Sequence, residues 1–215
     1  SFPTRRSSDL FTNLTAAIAD WADRTDLTAR IPDFVKLAEA RIGRDLRIRA
    51  LELRSQMSTV SGQNYYTLPP GYRQARHFKL VNGAGGVPAD LEYKTPEALD
   101  VANLGGTGLP RYYTIVANEI RIVPTPSAAY SLEILYYKAP TALSTSNEAN
   151  ILLEENPDIY LYASLIELWT YLRDDAESQK WGLLYGKAIE ASQSADDRDR
   201  HSGGAMHVSG ESYGW

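Results

Sequence analysis

NPDIYLYASLIELWTYL, residues 156–172, opens as a helix and then stays apolar on two sides. Asn156-Pro157-Asp158 places a proline in the first turn, where its missing N–H costs nothing, and an acid where the helix dipole favours one. Ile159, Ala163, Ile166 and Trp169 then form one apolar stripe, and Leu161, Leu165, Leu168 and Leu172 form a second. A helix with two such stripes must be covered on two sides, which places it in the middle of a bundle. Trp181, Leu184, Tyr185 and Ala188 supply a neighbouring one-sided helix ending near Ser194. The acid pairs Glu154-Glu155, ahead of the first of these helices, and Asp174-Asp175, between the two, read as capping and solvated residues rather than as an acid–base couple. From Asp196 to Trp215 the chain is charged and then Gly/Ser-rich, so it is expected to be disordered in the free monomer.

The rest of the bundle comes from the other end of the chain. Leu14, Ala17, Ile18 and Trp21 fall at i, i+3, i+4 and i+7, with Thr12 or Asn13 as cap, and predict a short amphipathic helix. Pro32 then sits in a first turn, and Phe34, Ala38, Ile42 and Leu46 recur at four-residue steps, predicting a second helix from about Pro32 to Arg54. Its polar face carries Arg41, Arg44, Arg47, Arg49 and Arg54 against Glu39, Asp45 and Glu52, which suits either a solvated face or a subunit contact.

Between the two ends, from Met57 to about residue 140, the helical period gives way to a segment rich in Tyr, Val, Thr, Pro and Gly. Tyr112 to Val116 and Ile120 to Val123 flank Ala117-Asn118-Glu119 as a hairpin. In Tyr130 to Tyr137, Tyr130, Leu132, Ile134 and Tyr136 alternate with Ser131, Glu133, Leu135 and Tyr137, as in a strand with one buried face. Pro124 and Pro126 end the second hairpin strand. Thr95-Pro96-Glu97-Ala98-Leu99 reads as a cap and the start of a short helix, and Gly83-Ala84-Gly85-Gly86 and Gly105-Gly106-Thr107-Gly108 as flexible loops. The expected fold class is α+β: an α-helical bundle formed by N- and C-terminal helices, with an inserted small antiparallel β domain and a disordered C-terminal tail. Its boundaries fall at 11–56 and 141–195 for the bundle, 57–140 for the β insertion and 196–215 for a flexible C-terminal arm.

Residues 1–10, Ser-Phe-Pro-Thr-Arg-Arg-Ser-Ser-Asp-Leu, are set apart because the string is the translation of a common sequencing-library adapter. Arg5-Arg6 does not read as a twin-arginine signal, since Asn13, Thr15, Asp20 and Asp23 interrupt any apolar region after it. The formal net charge of the chain is -5, and leaving out Arg5, Arg6 and Asp9 gives 20 basic and 26 acidic residues, or -6. An acidic balance argues against a dedicated DNA-binding module. No apolar run is long enough to suggest a membrane span, and cysteine is absent, which excludes disulfides, Cys-ligated zinc and thiol nucleophiles. His77, His201 and His207 are too scattered for a preformed metal site, and neither a GxSxG elbow nor a GxxxxGK[ST] loop occurs. The many tyrosines, among them Tyr65, Tyr66, Tyr112, Tyr113, Tyr136 and Tyr137, have no basic groove beside them, so packing is favoured over base stacking. No catalytic residues, metal or cofactors are expected.

With these segments placed, the chain resembles the head-to-tail adaptor (connector) family of tailed, podovirus-like bacteriophages from Phe11 to about Ala195. The resemblance rests on a collinear set: Ala16-Ala17-Ile18-Ala19-Asp20-Trp21, Arg24-Thr25-Asp26-Leu27, Ile31-Pro32-Asp33-Phe34, Leu37-Ala38-Glu39-Ala40-Arg41-Ile42 and Arg44-Asp45-Leu46-Arg47; then Tyr66-Thr67-Leu68-Pro69, Tyr93-Lys94-Thr95-Pro96-Glu97, Pro110-Arg111-Tyr112-Tyr113, Ile122-Val123-Pro124-Thr125-Pro126 and Leu135-Tyr136-Tyr137; and finally Asn156-Pro157-Asp158 with Tyr160-Leu161-Tyr162. It implies a non-enzymatic virion protein of the neck, assembled in the host cytoplasm as a dodecameric ring of copies of itself. Its implied partners are the portal protein, tail or nozzle proteins, and genomic DNA that passes through the channel without sequence-specific binding; no membrane is involved. Another phage neck or tail-tube protein is the nearer alternative, and a tail-associated carbohydrate-processing enzyme the more distant one.

A ring needs two different complementary sides on each copy. Residues 41–54 carry a local charge of +3 and residues 154–177 one of -6, so the two segments either meet between copies or neutralise each other within one chain. Arg41, Arg44, Arg47, Glu167, Asp174 and Asp175 are the candidate interface residues. Val208, Tyr213 and Trp215 are the candidate anchors of a portal-binding arm, because aromatic groups on a Gly-rich tether suit ordering on binding.

Overall fold

The computed structural model describes residues 10–81, 86–102 and 106–201. In chain order the helices are α1 (Leu10–Ala22), α2 (Ile31–Asp45), α3 (Pro96–Ala102), α4 (Ile151–Glu155), α5 (Pro157–Tyr171) and α6 (Asp175–His201). The strands are β1 (Glu52–Ser58), β2 (Tyr65–Thr67), β3 (Tyr72–Leu80), β4 (Ala89–Asp90), β5 (Glu92–Tyr93), β6 (Thr107–Gly108), β7 (Tyr112–Val116), β8 (Glu119–Val123), β9 (Thr125–Pro126) and β10 (Ser131–Lys138). The fold class is α+β. The chain divides into two compact units, Ser1–Ala50 with Pro140–Trp215, and Leu51–Ala139.

The helical unit is organised around α5, which packs against α1, α2, α4 and α6. Ile159, Tyr160, Ala163, Ser164, Leu165, Ile166 and Leu168 are all buried along it, as its two apolar stripes require. Helix α1 buries Phe11, Leu14, Ile18 and Ala22. Its inward stripe therefore differs from the expected one: Thr12 and Asn13 lie inside the helix, and Trp21 is 50% exposed. Helix α2 stops at Asp45, nine residues before the expected Arg54. Leu46 turns extended and Leu46 and Ile48 are both buried, so the apolar period there is two and not four. A short helical turn over Arg49–Leu51 then leads into β1.

Two further expectations change in the second half of the chain. Glu154 and Glu155 precede α5 as expected, but they also end an unexpected helix, α4, a five-residue element capped by Asn150, whose side chain accepts the Leu153 N–H. Helix α6 continues past Ser194 to His201, so residues 196–201 are helical and not part of a disordered tail. Asp196 explains the extension. Its carboxylate accepts from Arg200 Nε at 2.7 Å, four residues on, and from the Arg49 backbone N–H at 3.1 Å. Residues 1–9 and the arm candidates Val208, Tyr213 and Trp215 lie outside the described residues.

The second unit contains two four-stranded sheets, ordered β1-β10-β3-β4 and β2-β8-β7-β5. Tyr66 and Leu68 meet Phe78, Leu80, Ile120, Ile122, Leu132, Ile134 and Tyr136 in one core built from both sheets. Along β10 the even-numbered Leu132, Ile134 and Tyr136 are buried, as the alternation predicts. β7 and β8 form the expected hairpin with Val116 opposite Glu119. Thr95 caps α3, and Leu99 is fully buried beneath it. Gly83, Ala84, Gly85 and Gly105 lie outside the described residues. Thr107-Gly108, read as loop, instead pairs in parallel with Thr125-Pro126 as β6 with β9.

Candidate interface residues

The candidate residues all belong to the helical unit, but the structure gives them different tasks. Arg41 on α2 reaches across to α5, where its Nε and Nη2 both donate to Glu167 Oε1, at 2.9 and 2.7 Å. Both side chains are half-buried or better, at 33% and 15% exposure. Of the two outcomes open to the opposite charges, this pair takes the internal one. We expect a double-mutant cycle on Arg41→Ala and Glu167→Gln, read from urea melts, to give a coupling of about 1–3 kcal/mol. Additive losses would mean that the pair is not formed in solution.

Arg47 is used where the helix ends: its Nη1 donates to the carbonyls of Gly43 at 3.0 Å and Leu46 at 2.7 Å, satisfying the last turn of α2. Asp174 does the same work at a helix start, accepting the Glu177 N–H at 3.1 Å as the cap of α6. Asp175 is exposed in the first turn of α6. Arg44 is exposed too, and it makes no ion pair among the described residues. Of the remaining arginines in the basic segment, Arg49 faces Asp196 and Asp199 at 3.9 and 3.8 Å, while Arg54, which belongs to the second unit, pairs there with Glu133 at 2.9 Å. The basic segment is thus dispersed, with Arg44 as its outward charge. Glu154, Glu155, Asp158 and Asp175 are the outward acids of residues 154–177 that are exposed and not paired as above.

Sequence reasoning missed an apolar groove between α1 and α5. It encloses 410 Å³ and is lined by Leu10, Leu14, Ala17, Trp21, Leu153, Pro157, Leu161 and Tyr162, with Asn13 and Asp158 as its polar members. Trp21 stands 5.5 Å from Trp181 and 6.4 Å from Tyr162, so the three rings form one cluster at the end of the groove. Its signal in the sequence is a second face of α1, Leu10, Ala17 and Trp21, which the sequence obscures because Leu10 falls within the adapter-like string. The described residues contain no group of three or more His, Asp or Glu side chains placed to hold a metal, and no helix among them is long and apolar enough to cross a membrane. Burial pushes the phenols of Tyr160 and Tyr185 well above the usual tyrosine range, so neither is a base near neutrality.

The model of the SU10 adaptor protein family matches residues 10–208, nearly the whole chain. The chain belongs to the SU10 adaptor protein family. Members are structural adaptors of bacteriophages, and the family is not one of enzymes. The match begins at Leu10, where α1 begins, and runs past Ala195 to Val208, further than the collinear motifs reached. No curated protein matches the adaptor.

Proposed function

We propose that the adaptor assembles with copies of itself into a ring that docks on the portal in the neck of a podovirus-like virion and forms part of the DNA channel, without catalysing a reaction. The observation that carries this reading is the family match across residues 10–208. The surface supports it. With Arg41 and Glu167 spent on each other and Arg47 and Asp174 spent on helix ends, Arg44 and the exposed acids Glu154, Glu155, Asp158 and Asp175 remain to meet a neighbouring copy. An overall acidic protein also suits a lumen through which DNA must slide without adhering. Val208, Tyr213 and Trp215 are the proposed anchors of the portal-binding arm.

The test is mass measurement and negative-stain imaging of the adaptor with and without purified portal. We expect closed rings, a dodecamer by the family's precedent, whose formation weakens with salt and weakens further in Arg44→Glu at unchanged melting temperature. Deleting residues 208–215 should lower portal affinity and leave the melting temperature intact. An adaptor that stays monomeric with portal but assembles on tail components would replace this reading with that of another neck or tail-tube protein.

A further inference from the structure

Residues 141–150 bring the chain back into the helical unit, and apolar burial alone does not hold them there. Leu143 is the one buried side chain in the segment. Burying it contributes about 1.5–3 kcal/mol, whereas fixing the backbone costs roughly 1–2 kcal/mol per residue. The regular structure of the segment is a single bridge between Ser144 and Asn147. Its fastenings are therefore polar. Inside it, Asn147 Nδ2 donates to Ala142 O at 2.7 Å and Asn150 Nδ2 to Thr141 O at 2.8 Å. Besides the cap that Asn150 provides for α4, three bonds reach α1, α2 and α5: the Leu143 N–H donates to Glu39 Oε1 on α2 at 2.7 Å, Asn150 Nδ2 donates to the Tyr160 oxygen on α5 at 2.8 Å, and the Phe11 N–H of α1 donates to Glu148 O at 2.9 Å.

Glu39 is the member of this set that can change its charge. The Tyr160 hydroxyl faces it from α5 at 3.5 Å, the Leu143 N–H faces it from the segment, and no cation pairs with it among the described residues. We propose that residues 141–150 form a releasable strap whose clasp is the Glu39 carboxyl group, closed most firmly when that group carries a proton. A neutral carboxyl keeps an oxygen for the Leu143 N–H and sheds the cost of burying a charge. The balance of causes agrees: burial pushes the Glu39 carboxyl above its usual range, outweighing the two hydrogen bonds that favour the charged form. An acid that binds its proton more tightly in the closed state stabilises closure fully below the solvated value, and that stabilisation is lost as pH rises through the raised one. Opening would free ten residues of the return connection, a reach of roughly 33 Å.

Hydrogen exchange of residues 141–150 in the full chain, corrected for the intrinsic pH dependence of exchange, tests the clasp. Between about pH 5 and about pH 8 the wild-type strap should open about threefold to tenfold more often. Glu39→Gln, which keeps the acceptor without the charge, should give a slow and pH-independent strap, and Glu39→Ala a fast one at both ends. The carboxyl carbon of Glu39, followed by NMR in the wild type, should titrate above a solvated glutamate. Identical pH profiles for wild type and Glu39→Gln, or a normal titration of Glu39, would overturn the proposal.

Discussion

Phe78→Ala should cost the second unit about 3–5 kcal/mol, the largest loss expected from one substitution in this protein. Phe78 is 1% exposed on β3, its ring centroid lies 4.3 Å from that of Tyr113 on β7, and the residue sits in the core shared by both sheets. Truncation removes an aromatic side chain from between two sheets whose strands are fixed by their ladders, so the space cannot close by a small shift of one element. Near-UV circular dichroism and hydrogen exchange across β3, β8 and β10 should show this unit opening at lower urea than in the wild type, while the far-UV helical signal follows its own transition. Protection of the β10 amides at the wild-type level would show that the two sheets do not depend on this contact.

Leu165→Ala should lower the stability of the helical unit by about 2–5 kcal/mol. Leu165 is fully buried on α5, the helix that touches α1, α2, α4 and α6, so the lost side chain withdraws packing from the centre of the unit. Collapse around the cavity is resisted because neighbouring elements are cross-pinned, by Arg41 to Glu167 and by the Tyr185 hydroxyl to Asp45 Oδ2 at 3.0 Å. Urea unfolding followed at 222 nm measures the loss directly. A change within about 0.5 kcal/mol, the range of an ordinary surface substitution, would contradict the central placement of α5.

The elements that were legible from sequence are those in which periodicity, burial and end signals agree. α5 has a helix start and two stripes, β10 has strict alternation, and α3 has its Thr-Pro opening; each forms where its residues say. The misread elements are those in which local chemistry pointed elsewhere. Residues 46–54 are rich in Leu and Arg, both good helix formers, and Leu46 falls four residues after Ile42. What overrides that preference is non-local: pairing of β1 along its whole length with β10, about eighty residues away by sequence. α4 is too short to show a period. The far end of α6 is polar and reads as tail, because the Asp196 interactions with Arg49 and Arg200 that hold it involve a segment from the other end of the chain. Among the candidate site residues, charge asymmetry placed Arg41 and Glu167 on oppositely charged segments without pairing them, and it left open whether those segments meet between copies or within one chain; these two side chains meet within one molecule. Arg47 looks like a surface charge until the helix end it satisfies is located, whereas Asp174, read from the sequence as a capping residue between two helices, caps α6.

The first and last strands of the inserted unit, β1 and β10, are direct neighbours, with Glu52 opposite Tyr137. The unit therefore begins and ends at almost one point, and the entropy of closing so long a loop, roughly 4 kcal/mol, is met by its own strand pairing and not by the helices that receive it. An insertion of this kind behaves as a cassette. It can grow, shrink or be exchanged over evolutionary time while the two chain ends delivered to the host helices stay about 5 Å apart, and the receiving bundle need not be redesigned to accept the change.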